Sequence, residues 1–378
     1  MESPRYIWQT AGWPALLYDR AAVSVQLGAA RRAQGLFEAR LQMLGAQEHQ
    51  ELVSEAWTQE AVATAAIEGE ELDLLAVRSS VMRRLGVTQS PGSPVPRNVD
   101  GLLDIMDDAV TRSGQPLTAE RVQAWQAALF PSGYSGMRRI KVGAWRNDDK
   151  PMQVVSGPEG RETVHYEAPP AARVSQEMEN FLRWFESQAE PDLLLKAAVA
   201  HLWFESIHPF EDGNGRVGRV LVDMVLAREA GQSSRLVRIS QRLQQRRNDY
   251  YDLLERTQRG ELDVTPWVAW FLEQVRVAWQ EAADIVDAAL QKARFWGSHA
   301  SKDVSPRQRK AVNVLLDAGP LGFEGGLSTR KYASISGTSK PTAFRDLADL
   351  AEKGLLRQVG AGRSTRYYVN KDGWWPPE

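Results

Sequence analysis

Twelve residues constrain this chain more than any others: His208-Pro-Phe-Glu-Asp-Gly-Asn-Gly-Arg-Val-Gly-Arg219. They separate two runs with helical spacing, 192–206 and 216–230, and so limit how those helices can meet. Pro209 ends the first run, and Gly213-Asn-Gly215 permits a tight loop with positive φ angles before Arg216 opens the second. Backbone N–H groups in such a turn, aimed from a helix N-terminus, form an anion nest. Arg216 and Arg219 are three apart and share a helix face beside it. Two guanidiniums and a ring of amides match a polyphosphate. Asp212 is of the type that binds Mg²⁺, which takes one or two carboxylates plus phosphate oxygens. His208 is a candidate general base. No GxxxxGKS or GxxxxGKT occurs, so the expectation is an ATP-type site without a P-loop. A rival pattern, His201, Glu205, His208 and Asp212 as a line of metal ligands, would need a helix that Pro209 and the glycines break, and the two arginines would repel a metal.

The remaining composition narrows the chemistry. With 378 residues, two or three domains are expected, and 43% hydrophobic with 25% charged residues describes a water-soluble chain with a real core. The absence of cysteine removes disulfide scaffolds, zinc ribbons and thiol catalysis, leaving five histidines, carboxylates and hydroxyls. The start, MESPRYIWQTAGWP, has no basic segment followed by an apolar core, and the most apolar stretch, Leu193–Phe204, is short and interrupted by Lys196 and His201. A cytoplasmic protein with no membrane partner is expected. Charge is uneven: residues 301–378 carry 13 Lys and Arg against 8 Asp and Glu, +5, while the first 300 carry −7. A basic tail on an acidic body suggests an anionic partner for the tail.

Helical spacing dominates 21–43, 51–67, 99–112, 118–128 and 171–188, with Thr118 as an N-cap. The Pro- and Gly-rich stretch Gln89–Arg97 interrupts it. Two β-prone segments, 151–156 and 162–167, flank Gly157-Pro-Glu-Gly160 and predict a hairpin. The tail changes again: helices at 305–316, 328–335 and 339–353, the last with Phe344, Leu347 and Leu350 on one face, then strands at 355–359 and 365–369 around a Gly-tipped turn. That is the order of a winged helix-turn-helix. The tryptophans within helical runs, such as Trp125, Trp203 and Trp267, are read as core.

The segment His208–Arg219 resembles the Fic family signature, HxFx(D/E)GNGRxxR, at every specified position. The resemblance implies a mainly α fold, a Fic helical bundle core with a β-hairpin flap, followed by a winged helix-turn-helix domain. It divides the chain into 1–95 with an inhibitory helix, 96–295 as the catalytic domain, and 301–378. It also implies transfer of AMP from Mg-ATP to a Ser, Thr or Tyr hydroxyl of a protein, possible self-modification included. His208 would deprotonate the hydroxyl. Asp212 would hold Mg²⁺, and Gly213, Asn214, Gly215, Arg216, Gly218 and Arg219 would bind ATP, with Tyr250 and Tyr251 facing adenine. Gly215 stands where the related phosphate-transferring Doc toxins have lysine, which points to AMP transfer.

Thr64-Ala-Ala-Ile-Glu68-Gly69 resembles the family's inhibitory pattern, (S/T)xxxE(G/N); read alone it is a helix with Gly69 at its C-cap. Within the family resemblance, Glu68 would pair with Arg219 and withhold it from the γ-phosphate, and in some members the same glutamate supports removal of AMP. Gln153, Val154, Val155 and Ser156 resemble the flap that docks a target by strand addition. Tyr6-Ile-Trp8-Gln9 and Trp13-Pro14 resemble the start of bacterial Fic proteins, and such proteins often form homodimers. In the tail, Ser339, Lys340, Thr342, Arg345, Arg363 and Arg366 are candidate DNA contacts, with Asp346, Asp349 and Glu352 following on the same helix. The alternative function is a DNA-binding transcriptional regulator whose Fic domain senses nucleotide.

Overall fold

The computed structural model describes residues 6–87, 96–157, 161–323, 325–372 and 374. The break expected at Gln89–Arg97 lies, up to residue 95, outside them, as does most of the hairpin's tip at 157–160. Contacts divide the chain into two units, 1–39 with 45–283, and 40–44 with 284–378.

In the first unit, helical spacing becomes helices α1 (Arg20–Leu41), α2 (Ala46–Ile67), α3 (Leu74–Arg84), α4 (Arg97–Thr111) and α5 (Ala119–Leu129). Thr118 caps α5 as expected, its hydroxyl accepting from the Arg121 N–H at 3.2 Å. Two hairpins follow, β1 (Tyr134–Ser135) with β2 (Arg138–Arg139), and β3 (Gln153–Ser156) with β4 (Thr163–Glu167). The first was not legible, because two-residue strands leave no alternation to read. Then come α6 (Ala171–Glu186), α7 (Leu193–Ile207), α8 (Asn214–Ala230), α9 (Ile239–Gln245) and α10 (Arg247–Gln258). Helix α11 (Thr265–Ser298) begins in this unit.

Helix α7 is the centre: every residue from Leu194 to Ile207 is buried. A helix apolar all round belongs inside a core. The Asp192 carboxylate starts it by accepting from Leu194 N at 2.9 Å and Leu195 N at 3.3 Å. Buried Lys196 is satisfied by the carbonyls of Phe185 at 2.9 Å and Ser187 at 2.7 Å, so its charge ends α6. Helix α8 packs along α7, and α2, α4 and α5 pack on α8. Gly101 lets α4 close on α5: a Cβ there would lie 1.8 Å from the Ala128 carbonyl oxygen. Gly101→Ala should therefore lower stability by about 2 kcal/mol, read as a fall in urea midpoint at unchanged slope.

The second unit contains α12 (Pro306–Gly322, interrupted at Gly319), α13 (Thr329–Ser336), α14 (Lys340–Glu352) and the hairpin β5 (Leu356–Val359) with β6 (Arg366–Val369). Ser305 and Gln308 form a capping box that starts α12, and Gly337, at φ 65°, turns the chain between α13 and α14. The core includes Leu315, Tyr332, Leu347, Leu350 and Tyr367. One expectation fails here. Phe344 does not share the inner face with Leu347 and Leu350 but is 62% exposed; Ala343 takes that place, at the four-then-three spacing a helix face needs.

Candidate active site

The loop between α7 and α8 is built by residues that reach it from elsewhere. His208 closes α7, its N–H donating to Phe204 O at 3.0 Å, and turns left-handed at φ 50°. A positive φ is uncommon outside glycine and marks a constrained position. Arg146 supplies the constraint. Its guanidinium donates to the carbonyls of His208 at 2.7 Å, Pro169 at 2.5 Å and Ile207 at 3.3 Å, and its backbone N–H donates to Pro209 O at 2.9 Å. Sequence reasoning missed Arg146, which lies 62 residues away from the histidine in an irregular segment.

The rest of the loop is stapled just as tightly. Asn214 spends both ends of its carboxamide on Phe210, accepting from the N–H at 2.9 Å and donating to the carbonyl at 2.9 Å. Its side chain thus shapes the loop and does not reach outward. Only Gly213 has the expected positive φ, 90°, and a Cβ there would meet the Phe130 ring at 2.9 Å. Asn214 and Gly215 already belong to the first turn of α8, a correction to the expected start at Arg216. Their amides remain at the helix N-terminus, where first-turn N–H groups lack intrahelical partners and favour anions.

A cavity of about 460 Å³ opens on this loop, lined among others by Glu68, His208, Gly215, Arg219, Tyr250 and Tyr251. That volume falls in the range of small-molecule sites. The predicted flap residues Val154, Val155 and Ser156 also line it; Gln153, Gly213, Asn214, Arg216 and Gly218 do not.

Both arginines of the loop are engaged by the end of α2. Gly69, at φ 79°, gives α2 a Schellman ending: Gly69 N donates to Ala66 O at 3.1 Å and Glu70 N to Ala65 O at 3.1 Å. That turn presents Thr64, Glu68 and Glu70 to α8. Arg219, 1% exposed, donates from Nε to Thr64 Oγ1 at 2.7 Å, and from Nη2 to Thr64 O at 3.0 Å and Glu68 Oε1 at 2.7 Å. Glu68 holds the Arg219 guanidinium charged more firmly, against the effect of burial. Gly215 makes room for this contact, because a Cβ would sit 2.2 Å from Glu68 Oε1. Arg216 pairs with Glu70, Nη1 to Oε2 at 3.0 Å, and lies over the Phe130 ring at 4.9 Å. Glu70 was not anticipated; an acid directly after the motif-like Glu68-Gly69 was the available signal.

Asp212 stands at the open side. One carboxylate oxygen accepts the Ser135 hydroxyl, the other the Gly213 N–H at 2.6 Å, and the side chain is 37% exposed. Among the described residues, no cluster of three or more His, Asp and Glu could hold a metal, so the ligand line His201–Glu205–His208–Asp212 does not assemble.

Burial, and then Arg146, lower the His208 pKa to about 4, so its imidazole is neutral at physiological pH. Its Nδ1 is buried, leaving Nε2 as the nitrogen available to the cavity. Tyr250 is 1% exposed and its hydroxyl meets His201 Nε2 at 2.9 Å, while Tyr251 donates to Ile67 O at 3.3 Å. Each tyrosine hydroxyl is thus held by protein, and of the two expected adenine contacts only the half-buried Tyr251 keeps ring surface for the cavity, because Tyr250 is packed almost completely.

In the β3–β4 flap, register jumps between Val154↔Tyr166 and Val155↔Val164, so His165 is an extra, bulged residue. Bulges re-aim side chains. Here the His165 ring bridges Ser156 Oγ at 2.6 Å and Glu255 Oε2 at 2.6 Å, tying the flap to α10. Arg259 adds bonds to His165 O at 2.7 Å and Val164 O at 2.5 Å. Replacing His165 by phenylalanine should speed amide hydrogen exchange in β3 and β4 several-fold while leaving α7 unchanged, since each lost hydrogen bond contributes about 1 kcal/mol.

In the second unit, Ser339 caps α14 and bonds Thr342 Oγ1 at 3.1 Å, and Lys340 and Arg345 are exposed on its first turns. Asp346 is not on that outer face: it is buried, bound by Arg307 at 2.6 and 2.9 Å and by the Tyr332 hydroxyl at 3.0 Å. Asp349 accepts from Gln308 and Lys353, each at 2.7 Å. Arg366 is half-buried on β6, and the Arg363 side chain lies outside the described residues.

The cavity thus meets a histidine, the glycine-bearing N-terminus of α8 and the buried Arg219, with Arg216 on the same helix just outside its lining. Residues 116–226 match the Fic/DOC family model, so this stretch is a Fic/DOC family domain, and residues 6–87 match a domain of unknown function, DUF4172. A probable protein adenylyltransferase of Aquifex aeolicus is 38% identical over 61 residues, 16% of this chain and 19% of that protein. A protein adenylyltransferase Fic of Nematostella vectensis is 26% identical over 225 residues, 57% of this chain and 46% of that one. The chain spans less than half the length of these curated relatives. A Fic family protein from Desulfovibrio desulfuricans shares the fold at TM-score 0.56 and 20% identity, covering 93% of this chain and 97% of that one. A Fic domain containing signaling protein from Bacteroides thetaiotaomicron does so at TM-score 0.51 and 16% identity, over 68% and 97%. Among the described residues, no helix is long and apolar enough to cross a membrane.

Proposed function

We propose that this chain is a protein adenylyltransferase that moves AMP from Mg-ATP to a Ser, Thr or Tyr hydroxyl of a target protein, its own chain included, and that Glu68 holds it inactive. The observation that carries this reading is Arg219, buried beside the cavity and occupied by Thr64 and Glu68. A buried guanidinium facing a nucleotide-sized cavity is a phosphate ligand when free and a latch when paired.

In the active form, Arg219 and Arg216 exchange their glutamates for phosphate oxygens, and the α8 N-terminal amides hold the remaining charge. His208 Nε2 takes the target hydroxyl's proton, that oxygen bonds to the α-phosphorus, and pyrophosphate leaves with the electrons of the broken P–O bond. Such transfer depends on in-line placement and charge neutralisation more than on covalent chemistry. The single accessible carboxylate of Asp212 fits a Mg²⁺ site in which phosphate oxygens supply further ligands, and bound Mg²⁺ would neutralise charge there. The bulged flap, pinned by His165 and Glu255, would seat the target backbone along β3. Tyr251 would offer its ring to adenine, with Tyr250 packed against it at 5.1 Å between ring centres. The Glu68 carboxylate also suits the reverse use, removal of AMP from a modified target.

In this proposal residues 1–95 carry the latch, 96–295 the catalytic domain, and 301–378 a winged helix-turn-helix. The exposed first turns of α14, with Asp346 buried and Asp349 paired with Lys353, favour DNA as its partner. A salt-dependent gel shift tests that, and no binding at low salt would remove it. A homodimer and a cytoplasmic location belong to the same reading. For the enzyme, the test is ATP labelled at the α- or γ-phosphate, supplied with Mg²⁺ to the Glu68→Gly variant and a cell extract. Protein-bound label from the α-phosphate alone supports AMP transfer; label from γ alone replaces it with phosphoryl transfer.

A further inference from the structure

Beside His208, on the wall of the same cavity, lies a group of buried polar atoms that the reaction as described leaves unused. Glu205, one helical turn earlier on α7, places Oε2 4.0 Å from His208 Nδ1. His208 Nδ1, Glu205 Oε1 and His201 Nδ1 are all buried without a well-formed hydrogen bond, although the backbones of Glu205 and Gly218 lie close enough to act on the two rings. Burying polar atoms in this state is unfavourable, and where it occurs at a functional site it calls for an explanation. Gly218 keeps the space open: a Cβ there would lie 2.4 Å from Glu205 Oε1 and 3.2 Å from His201 Nδ1. The glycine of the motif, three residues after Gly215, therefore preserves room for a carboxylate beside the histidine.

We infer that Glu205 is a positioning residue for His208: it holds the imidazole's Nδ1–H and, when ionised, strengthens Nε2 as a base. This rests on the adenylyltransferase reading. Nε2 can take a proton only if the ring's own proton is on Nδ1, and that nitrogen faces Glu205. When the imidazolium forms, an adjacent carboxylate offsets its charge, as the acid of a hydrolase triad does. At 4.0 Å the contact is longer than a hydrogen bond, and holding Nδ1–H requires the Glu205 carboxylate to move closer.

The surrounding charges decide when the carboxylate is available. Glu205 faces Arg219 on α8, Glu68 at the end of α2 and Tyr250 on α10; burial raises its pKa to about 8, with Arg219 opposing and Glu68 adding to the shift. His208 faces Arg146, Glu68 and Asp212, with the Glu205 carbonyl also favouring its charged form. His201, lowered to about 3 by burial and by Arg219, stays neutral. Near pH 7 the His208–Glu205 pair thus holds its proton mainly on Glu205, and raising the pH through 8 releases it.

The test is the pH dependence of AMP transfer in the Glu68→Gly background. The parent should speed up roughly tenfold between pH 6 and 9, following ionisation of Glu205, with its inflection below that of wild type because the Glu68 charge that raises it is gone. Glu205→Gln should be flat within about twofold over that interval and remain at or below the parent's pH 6 rate, and Glu205→Asp should recover the rise. An activity-free readout accompanies it in the protein that retains Glu68: the His208 imidazole resonance should show an inflection near pH 8 that Glu205→Gln removes. A parent rate without the rise, a rise that survives Glu205→Gln, or a folded Glu205→Asp protein without it overturns the inference while AMP transfer stands. Complete absence of transfer in the parent overturns the adenylyltransferase reading itself.

Discussion

Replacing Glu68 by glycine should raise AMP incorporation by roughly a hundredfold over wild type. Glu68 and Thr64 together satisfy the Nε and Nη2 groups of Arg219. Arg219 is buried while Glu68 is one-third exposed, and a difference of about 3 kcal/mol in favour of the latched state, with the Thr64 bonds included, corresponds to about a hundredfold in the population of the open one. Glycine removes the carboxylate while α2 keeps its Schellman ending, because Glu68 contributes only backbone to that turn. Arg216 still has Glu70, so Glu68→Gly with Glu70→Gln should gain a further factor of about 2 to 5, the scale of a single partly exposed pair without the Thr64 bonds that hold Arg219. Initial rates with α-labelled ATP measure both; a rate unchanged within twofold in Glu68→Gly contradicts the latch.

The second large effect belongs to His208. In the Glu68→Gly background, His208→Ala should lower transfer by about 10² to 10⁴, the range of a lost general base. ATP affinity should change little, because the phosphates are assigned to Arg216, Arg219 and the α8 amides. Calorimetric titration of ATP beside the rate assay separates the two. A large loss of ATP affinity with a modest loss of rate would make His208 a binding residue instead.

What sequence alone reveals here has a physical boundary. The loop His208–Arg219 and the Thr64–Glu68 pattern are legible because their chemistry is local: bases, glycines and arginines at fixed spacing around one helix start. Gly69 is legible as a cap for the same reason. Arg146, Glu70 and the His165–Glu255 link act across the fold, and no periodicity ties Arg146 to a carbonyl 62 residues later. Glu205 sits inside the helical run preceding the loop, and its closeness to the His208 side chain follows from the left-handed turn at His208, which a sequence pattern cannot specify. In the second unit, Phe344 was assigned inward because it is apolar, whereas its neighbour Ala343 is the residue that fits against Leu347 and Leu350. Gly215 is the instructive case: read as part of a phosphate nest, it also has to be small so that Glu68 can lie against α8.

The most direct measurement compares protein-bound label from the α-phosphate of ATP, with Mg²⁺, in wild type, Glu68→Gly, and Glu68→Gly with His208→Ala. The account predicts little label in the first, abundant label in the second and a return to background in the third. Equal labelling of all three, or none in the second with folded protein and acceptors present, would contradict it.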